Sequence, residues 1–197
     1  MYDWQKMTAE ERTAILARRI CEQKPWHRPS IFEGNKWFHV TASCYQHQPL
    51  IGFSTERMIH FSNELLRTFK ECQAELSAWV LLPNHYHVLA KVFMKAGLQK
   101  SLGKLHGRNS HQWNVEEEAS GRKCFHGLLM KPIKSESHRI STMNYIHHNP
   151  VKHGYVEKWG DWIFGSALEY LENTPVSEVR KSWERFPVSN MGKGWDD

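Results

Sequence analysis

Two short segments carry most of the side chains that could do chemistry. His85 and His87 stand two apart among β-forming residues, and alternation along a strand places both imidazoles on one face of a sheet. Tyr145 and Asn149 stand four apart in a helix-like segment, so they share one helical face. Two histidines and one amide or carboxylate oxygen leave open positions on a divalent ion, as a Lewis acid needs if a phosphate oxygen is to bind. This pattern favours an open catalytic metal site over a closed structural zinc.

Each motif alone is weak evidence. A His-x-His pair in a strand is more often a satisfied or exposed pair than a ligand set. A nucleotide-binding histidine triad would need a third histidine where this chain has Leu89. His147 and His148 are further candidate ligands, but adjacent positions point to different helix faces, so at most one joins Tyr145 and Asn149. His148 is kept as a candidate that supports the ligands from outside the metal shell.

The hydrophobic pattern predicts the elements that would hold these segments. The predicted order is strand 37–45, helix 55–75, strands 77–82 and 85–92, a helix with apolar residues at 98, 102 and 105, a strand near 123–131 and helix 135–148. Residues 114–121 are predicted to form an acidic loop, and Pro150 is expected to end the last helix near Asn149. This order favours an α+β fold, a ferredoxin-like antiparallel sheet with helices on one face and the other face free for a ligand.

The length of 197 residues fits one domain with extensions. We expect an N-terminal helical extension over residues 1–34, because Thr8-Ala9-Glu10-Glu11 is a capping-box pattern that begins a helix to about Cys21. The central domain is expected over residues 35–154. A C-terminal extension over residues 155–197 holds four of the nine tryptophans, which predicts that it packs on the domain.

The charge is concentrated in the middle of the chain. Residues 91–158 hold 12 Lys and Arg against 5 Glu and no Asp, within a total net charge of +5. A basic middle favours a polyanionic partner, although a solvated lysine-rich surface is the commoner explanation of charge alone. The candidate phosphate contacts are Lys100, Lys104, Arg108, Lys131, Lys134 and Arg139.

Cysteine spacing and hydropathy indicate the compartment. The four cysteines form no Cys-x-x-Cys pair, which predicts neither a zinc ribbon nor a disulfide framework. The longest apolar runs are too short to span a bilayer, and the first residues lack the apolar region of a signal peptide. We therefore expect a cytoplasmic protein without a membrane partner.

In their sequence context, the two motifs resemble those of the REP-associated tyrosine transposases, which are single-tyrosine HUH enzymes related to insertion-sequence transposases. The main likeness lies in Leu82-Pro83-Asn84-His85-Tyr86-His87 and in Tyr145-Ile146-His147-His148-Asn149-Pro150-Val151-Lys152-His153-Gly154. It extends to Trp79 and to segments 105–110, 121–122, 135–138, 161–162 and 192–196. A likeness over most of the chain is more specific than either short motif.

The resemblance implies a ferredoxin-like HUH domain that cleaves single-stranded DNA beside palindromic, hairpin-forming REP repeats, with Mg²⁺ or Mn²⁺ as cofactor. Carried over by position, His85 and His87 are metal ligands, Asn149 is the third ligand, and Tyr145 is the nucleophile. The tyrosine would release a 3′-hydroxyl and stay linked to the 5′-phosphate for strand transfer. We expect a monomer rather than a homodimer, because the tryptophan-rich tail would let one chain complete its own site.

At Met130-Lys131 the chain departs from the family, in which many members carry Asp followed by Arg. An acidic residue that tunes the site or contacts DNA would then be missing. Two other functions stay open from the sequence. One is a non-catalytic protein that binds DNA hairpins, and the other is a metal-dependent phosphoesterase that uses water and tolerates loss of Tyr145.

Overall fold

The computed structural model describes residues 33–188 without a gap, together with residues 8, 10–11 and 13–14. From residue 33 the elements are β1 (Glu33–Cys44), α1 (Thr55–Glu71), β2 (Glu75–Leu81), β3 (His85–Met94), α2 (Lys95–Glu116), β4 (Phe125–Pro132), α3 (Glu136–Lys152), α4 (Ala167–Asn173) and α5 (Val176–Arg185). The strands form an antiparallel sheet in the order β2-β3-β1-β4. The predicted α+β class and the ferredoxin-like β-α-β-β-α-β order are confirmed.

Strand alternation gives the sheet two different faces. On β3, Tyr86 and Val88 point into the main hydrophobic core, which is formed with α1 and α2. Phe61 of α1 and Trp113 of α2 lie in this core with ring centroids 5.6 Å apart. The alternate residues of β3 point away from these helices.

The expectation that all helices share one face is wrong for α3. Met143 and Ile146 of this helix pack with Val80 and Leu89 in a second apolar cluster, on the opposite side of the sheet. The physical reason lies in β2. Leu81 of this strand packs in the main core, whereas Ala78 and Val80 point to the other face and are also apolar. Because β2 is apolar on both faces, both faces need cover. Helix α3 lies over β2 and β3.

Helix α2 continues to Glu116, so the beginning of the predicted acidic loop is helical. Arg57 of α1 donates hydrogen bonds to Glu116 at 2.9 Å and to Glu117 at 2.7 Å. Hydrogen bonds from Arg122 and Arg57 hold the pKa of Glu117 at about 2. These ion pairs offset the like charges at the end of α2, where Glu116 is the last helical residue.

Helix α3 does not end at Asn149 as expected. Pro150 lies in the last turn, where its missing N–H removes only one helical hydrogen bond. The helix ends in a Schellman arrangement: Gly154 has a φ of +72° and donates to the Val151 carbonyl at 3.0 Å, and Tyr155 donates to the Pro150 carbonyl at 2.9 Å. Asn149 therefore belongs to a regular helix and keeps its register with the preceding turn.

The tail after α3 packs against the sheet edge and the outer side of α3. Ser166 Oγ accepts a hydrogen bond from the Trp79 backbone of β2 at 2.9 Å, and Trp162 donates to the Leu81 carbonyl at 3.0 Å. Asn144 of α3 donates to two carbonyls of α5 and its C-terminal end, at 3.3 and 3.1 Å. Through these contacts the described tail residues pack on β2 and α3. Residues 189–197 lie outside the described part, so the predicted extension over 155–197 stays a prediction.

Residues 1–32 form a unit of their own. Within it, Thr8 N donates to Glu11 Oε2 at 2.8 Å and Glu11 N donates to Thr8 Oγ1 at 3.2 Å. This reciprocal pair is the predicted capping box. The continuation of that helix towards Cys21 lies outside the described residues, so the boundary at residue 34 stays a prediction. Among the described residues, none of the helices combines the length and apolar character needed to cross a membrane.

Candidate active site

The histidine pair lies at the start of β3, on the face covered by α3. His85 and His87 are 3 % and 1 % exposed, and their ring centroids are 5.0 Å apart with the planes inclined by 76°. Alternation along β3 places both rings on this face, as the sequence predicts. Two imidazoles are thus held close together in a buried environment.

Hydrogen bonding fixes the proton on His85. Asn84 Nδ2 donates to the His47 carbonyl at 3.1 Å, and this bond orients the Asn84 amide so that its Oδ1 lies 2.7 Å from His85 Nδ1. Because an amide oxygen only accepts, the Nδ1 atom of His85 carries the hydrogen and Nε2 carries the lone pair of the neutral ring. Metal-binding histidines are commonly oriented by such a partner at the other ring nitrogen.

Asn149 approaches this lone pair from α3. Its Oδ1 lies 3.1 Å from His85 Nε2, so two acceptor atoms face each other. The side chain is fully buried, and its Nδ2 has no hydrogen-bond partner within the described residues. A divalent cation bound by both acceptors would satisfy this arrangement, and imidazole and amide oxygen are ligands that such ions accept. These side chains therefore fit the metal that the family resemblance implies.

The candidate ligand set combines two histidines with an amide. Among the described residues, no group of three or more His, Cys, Asp or Glu side chains forms a metal-binding arrangement. The amide of Asn149 is the oxygen that the structure brings to His85. The sequence-predicted ligand set of His85, His87 and Asn149 is thus brought together by β3 and α3.

His39 is a neighbour of this set that the sequence motifs did not identify. It lies on β1, diagonally across from His87, and its Nε2 is 3.1 Å from His87 Nδ1. The ring is 2 % exposed. A signal was present in the sequence, because His39 interrupts the β-forming run of the first predicted strand and alternation puts it on one sheet face.

Tyr145 packs beside the histidines. Its ring centroid lies 5.4 Å from that of His87, with the planes at 69°, and 6.2 Å from that of His39. The ammonium of Lys152, two helical turns further on, lies 5.3 Å from the centre of the tyrosine ring. The tyrosine is 2 % exposed. One chain therefore supplies the candidate nucleophile, the ligands and a nearby cation.

Two positions close to the site lie within the second family motif without an assigned role. The exposed His153 places its ring edge-on to His85, with centroids 5.0 Å apart. Lys152 lies next to it in the chain and contacts Tyr145 as described. Only the fold shows that both flank the site, because the last turn of α3 has to lie against the start of β3.

The structure places His147 and His148 towards the tail. His147 Nε2 lies 3.1 Å from Ser166 Oγ and its ring stacks on Trp159, with centroids 5.6 Å apart. Burial lowers the pKa of His147 to about 3. The ring of His148 lies edge-on to Trp183 at 5.5 Å, and burial lowers its pKa as well. These contacts indicate packing roles and give no support to the candidate role of His148 beside the ligands.

A pocket of about 110 Å³ opens beside His85 on the same sheet face. Its lining includes Thr41, Ser43, Gly127 and Leu129 from β1 and β4. This volume is roughly that of three or four water molecules. The histidine pair is therefore bordered by a space that a small polar group can enter.

The chain is similar to known proteins in both sequence and structure. The REP-associated tyrosine transposase of Escherichia coli K12 is 23 % identical over 146 residues, which cover 71 % of this chain and 81 % of that protein. A Haemophilus influenzae protein provisionally given the same family name is 25 % identical over 127 residues, which cover 58 % of this chain and 70 % of that protein. In structure the chain is similar to a REP-associated tyrosine transposase bound to a REP hairpin, with a TM-score of 0.58, 19 % identity and coverage of 77 % and 88 %.

The family resemblance predicted from the sequence is confirmed. No protein-family model matches the chain. The solved REP-associated tyrosine transposase has the same fold, since the match covers 77 % of this chain. The confirmed fold places β3 and α3 against each other, and these two elements carry both family motifs.

Met130 and Lys131 point to opposite faces of β4. Met130 is 8 % exposed and lies in the main core, away from the histidines. Lys131 pairs in register with His39, so it lies on the site face. These two positions therefore place an apolar residue in the core and a cation beside the candidate site.

The three basic candidates on α2 lie on the layer opposite Tyr145. Lys100 and Lys104 are exposed there. Arg108 forms an ion pair with Glu64 of α1 at 2.8 Å. The predicted basic ridge is therefore present, but the sheet separates it from the histidine pair.

The other three basic candidates follow one another along the chain: Lys131 is in β4, Lys134 lies between β4 and α3, and Arg139 is in α3. Lys131 lies on the site face, and Lys134 is exposed just before α3. Arg139 forms an ion pair with Glu136 at 2.6 Å, donates to Ser77 Oγ at 3.1 Å and is only 23 % exposed. Arg139 is therefore engaged within the protein, whereas Lys131 is the candidate whose strand position is next to the site.

Proposed function

We propose that this protein is a metal-dependent single-strand DNA endonuclease and transposase that acts at palindromic REP-type hairpins. The observation that carries the proposal is the meeting of His85 Nε2 and Asn149 Oδ1 at 3.1 Å beside Tyr145. The similarity of the chain to REP-associated tyrosine transposases supports it. The segments around His85 and Tyr145 are also the ones whose sequence resembles that family. The structural relative is bound to a REP hairpin, and we extend that partner to this chain.

The residues that would hold Mg²⁺ or Mn²⁺ are His85, His87 and Asn149. When bound, the ion supplies positive charge to a non-bridging oxygen of the scissile phosphate. Asn84 holds the His85 ring so that its lone pair faces Asn149, which means that hydrogen bonding within the protein orients these two ligand atoms. Pre-orientation lowers the cost of binding the ion.

Tyr145 would act as the nucleophile. A new bond forms between its phenolic oxygen and the phosphorus, and the bond from phosphorus to the 3′-oxygen breaks. The tyrosine loses its proton and the 3′-oxygen gains one, so the step leaves a 5′-phosphotyrosine and a free 3′-hydroxyl. One phosphodiester replaces another, and a later attack by a 3′-hydroxyl can join strands without ATP.

Lys152 brings a positive charge over the ring of Tyr145. A neutral tyrosine hydroxyl is a weak nucleophile near pH 7, and a nearby cation favours negative charge on both the phenolic oxygen and the phosphate. The Lys152 ammonium lies 5.3 Å from the ring centre of Tyr145. Because Tyr145 is 2 % exposed, the DNA has to displace neighbouring side chains before the phosphate reaches the hydroxyl.

A single chain completes this set of residues, since β3 and α3 belong to the same fold and the tail packs on α3. We therefore favour a monomer over a homodimer. A dimer that exchanges α3 would first have to break the contacts between α3 and β2. Those contacts bury Met143, Ile146 and Val80.

The direct test is covalent capture of DNA. The protein is incubated with Mn²⁺ and a labelled single-stranded oligonucleotide carrying a hairpin repeat from beside its own gene, and adducts are separated on a denaturing gel. The proposal predicts an adduct that Tyr145→Phe abolishes. Tyr155→Phe is the matched control, because Tyr155 lies just after α3 and is 42 % exposed, and it should leave the adduct unchanged.

Two other results would point to the other functions. Free cleavage products that persist in Tyr145→Phe, without an adduct, would indicate a phosphoesterase that uses water. Tight hairpin binding without cleavage, with Mg²⁺ or Mn²⁺, would indicate a non-catalytic hairpin-binding protein. Either result contradicts the proposed tyrosine chemistry.

A further inference from the structure

The buried imidazole of His39 makes a contact that the proposed chemistry leaves unexplained. Its Nε2 lies 3.1 Å from His87 Nδ1, and the two ring centroids are 5.1 Å apart. A hydrogen bond at this distance needs one nitrogen to donate and the other to accept. The direction of that bond decides which nitrogen of His87 carries a lone pair.

If His87 coordinates a metal, the direction of its hydrogen bond with His39 is determined. His39 lies at the Nδ1 edge of His87, which leaves Nε2 as the ring atom that can act as a ligand. A histidine ligand has to offer an unprotonated nitrogen, so the hydrogen of the neutral ring belongs on Nδ1. His87 then donates, and His39 Nε2 accepts. In the opposite direction His87 Nε2 would carry the hydrogen and could not bind an ion.

We propose that His39 is a positioning residue that holds the hydrogen of His87 on Nδ1 and so aims Nε2 at the metal. The inference rests on the proposed function, because it assumes that His87 is a ligand. The arrangement repeats what Asn84 does for His85, where an acceptor 2.7 Å from Nδ1 leaves Nε2 facing Asn149. Each ligand histidine thus has its own acceptor, one from an amide and one from an imidazole.

His39 also lies beside the candidate nucleophile. Its ring is edge-on to Tyr145, with centroids 6.2 Å apart and planes at 75°, while Tyr145 packs against His87 at 5.4 Å. The three rings therefore contact one another in a buried group. His39 couples the orientation of His87 to the place where the tyrosine ring lies.

The first experiment measures Mn²⁺ affinity by titration calorimetry in the full-length protein. His39→Leu removes the acceptor and should weaken Mn²⁺ binding about 10- to 100-fold. In His39→Gln the side-chain oxygen can accept from His87 Nδ1, so affinity should stay within about threefold. His106→Leu is the matched control: it removes another buried imidazole, from the opposite face of the sheet, and should leave Mn²⁺ affinity unchanged.

A second readout needs no metal and no activity. Nitrogen-15 NMR of the histidine rings in the metal-free protein, at mildly alkaline pH, reports which nitrogen carries the hydrogen. We expect His87 protonated at Nδ1 in the wild type and in His39→Gln, and a shift towards protonation at Nε2 in His39→Leu. A wild-type spectrum with the hydrogen of His87 on Nε2 would overturn the proposal, even if a variant failed to fold.

His85→Ala separates failure of this inference from failure of the proposed function. If His85→Ala abolishes Mn²⁺ binding while His39→Leu leaves it unchanged, the positioning role is wrong and the metal site stands. If wild type and His85→Ala bind Mn²⁺ equally, the metal site itself is wrong and the role of His39 is rejected with it.

Discussion

The two faces of the sheet bury histidines in different settings. On the face covered by α1 and α2, His106 is a single imidazole that bonds the Tyr86 hydroxyl at 3.1 Å and stacks on Phe125 at 4.1 Å. On the face covered by α3, His87 contacts both His39 and His85. The first arrangement is a satisfied polar group in an apolar core. The second concentrates polar rings where apolar residues would pack at lower cost.

That difference fits the proposed assignment of chemistry to the α3 face. Burial of one imidazole with one partner is explained by packing and hydrogen bonding alone. Three adjacent imidazoles, with the amide of Asn149 facing His85, require a reason beyond stability. The proposed cation would supply that reason, since it would turn the facing acceptors into ligands. We therefore assign stability mainly to the α1–α2 face and the proposed reaction to the α3 face.

The largest expected effect comes from removing one buried histidine on each face. His85→Ala should lower cleavage by at least about 100-fold, because a proposed ligand is lost. His106→Ala should keep cleavage per folded molecule within about threefold of wild type. It should lower the free energy of unfolding by about 2–4 kcal/mol, because the Tyr86 hydroxyl loses its partner and a cavity forms.

Cleavage rates at low temperature and urea unfolding curves measure these two quantities, with circular dichroism to determine the folded fraction. If His85→Ala and His106→Ala lost cleavage equally, after correction for the folded fraction, the assignment of the reaction to the α3 face and of stability to the α1–α2 face would be contradicted.

A smaller effect concerns acid stability on the α1–α2 face. Burial lowers the pKa of His106 from 6.5 to about 4. Between these values the unfolded chain binds a proton that the folded protein does not, so stability falls as the pH drops below 6.5. At pH 5 this amounts to about 2 kcal/mol. In His106→Gln the loss of unfolding free energy between pH 7 and pH 5 should be smaller by that amount, as measured by urea titration. If His106→Gln and wild type lost the same unfolding free energy between pH 7 and pH 5, the lowered pKa of His106 would be contradicted.

The smallest expected effect compares two lysines in DNA binding. Lys131 is the cross-strand partner of His39 and lies on the same face of the sheet as the candidate site. Lys100 lies on α2, which covers the other face. If Lys131 contacts a phosphate, Lys131→Gln should reduce the slope of log affinity against log salt concentration by about one. Lys100→Gln should leave the slope unchanged. A reduced slope in Lys100→Gln alone would show that the hairpin binds the α2 side.

Local patterns predicted much of the fold and of the candidate site. The strand containing His85 and His87 follows from alternation, and the shared face of Tyr145 and Asn149 follows from helical spacing. A shift of β3 by one residue would exchange its two faces, so the alternation of Tyr86 and Val88 with the histidines also fixes the register. These features depend on neighbouring residues, which the sequence shows directly.

The rest depended on contacts between distant segments. The position of α3 on the second face follows from β2 being apolar on both sides, which becomes informative only once the strand order is known. His39 joins the site through a diagonal pairing of β1 with β3. His148 turns towards Trp183 because the tail packs on the outside of α3. No spacing within one segment contains this information.

The most direct measurement of the central claim is identification of the residue that carries DNA after the reaction. The protein is reacted with the hairpin oligonucleotide and Mn²⁺, trimmed with nuclease, digested with a protease and analysed by mass spectrometry. The proposed mechanism predicts a nucleotide linked through its 5′-phosphate to Tyr145. Cleaved DNA with no modified peptide, or a link to a residue other than Tyr145, would contradict it.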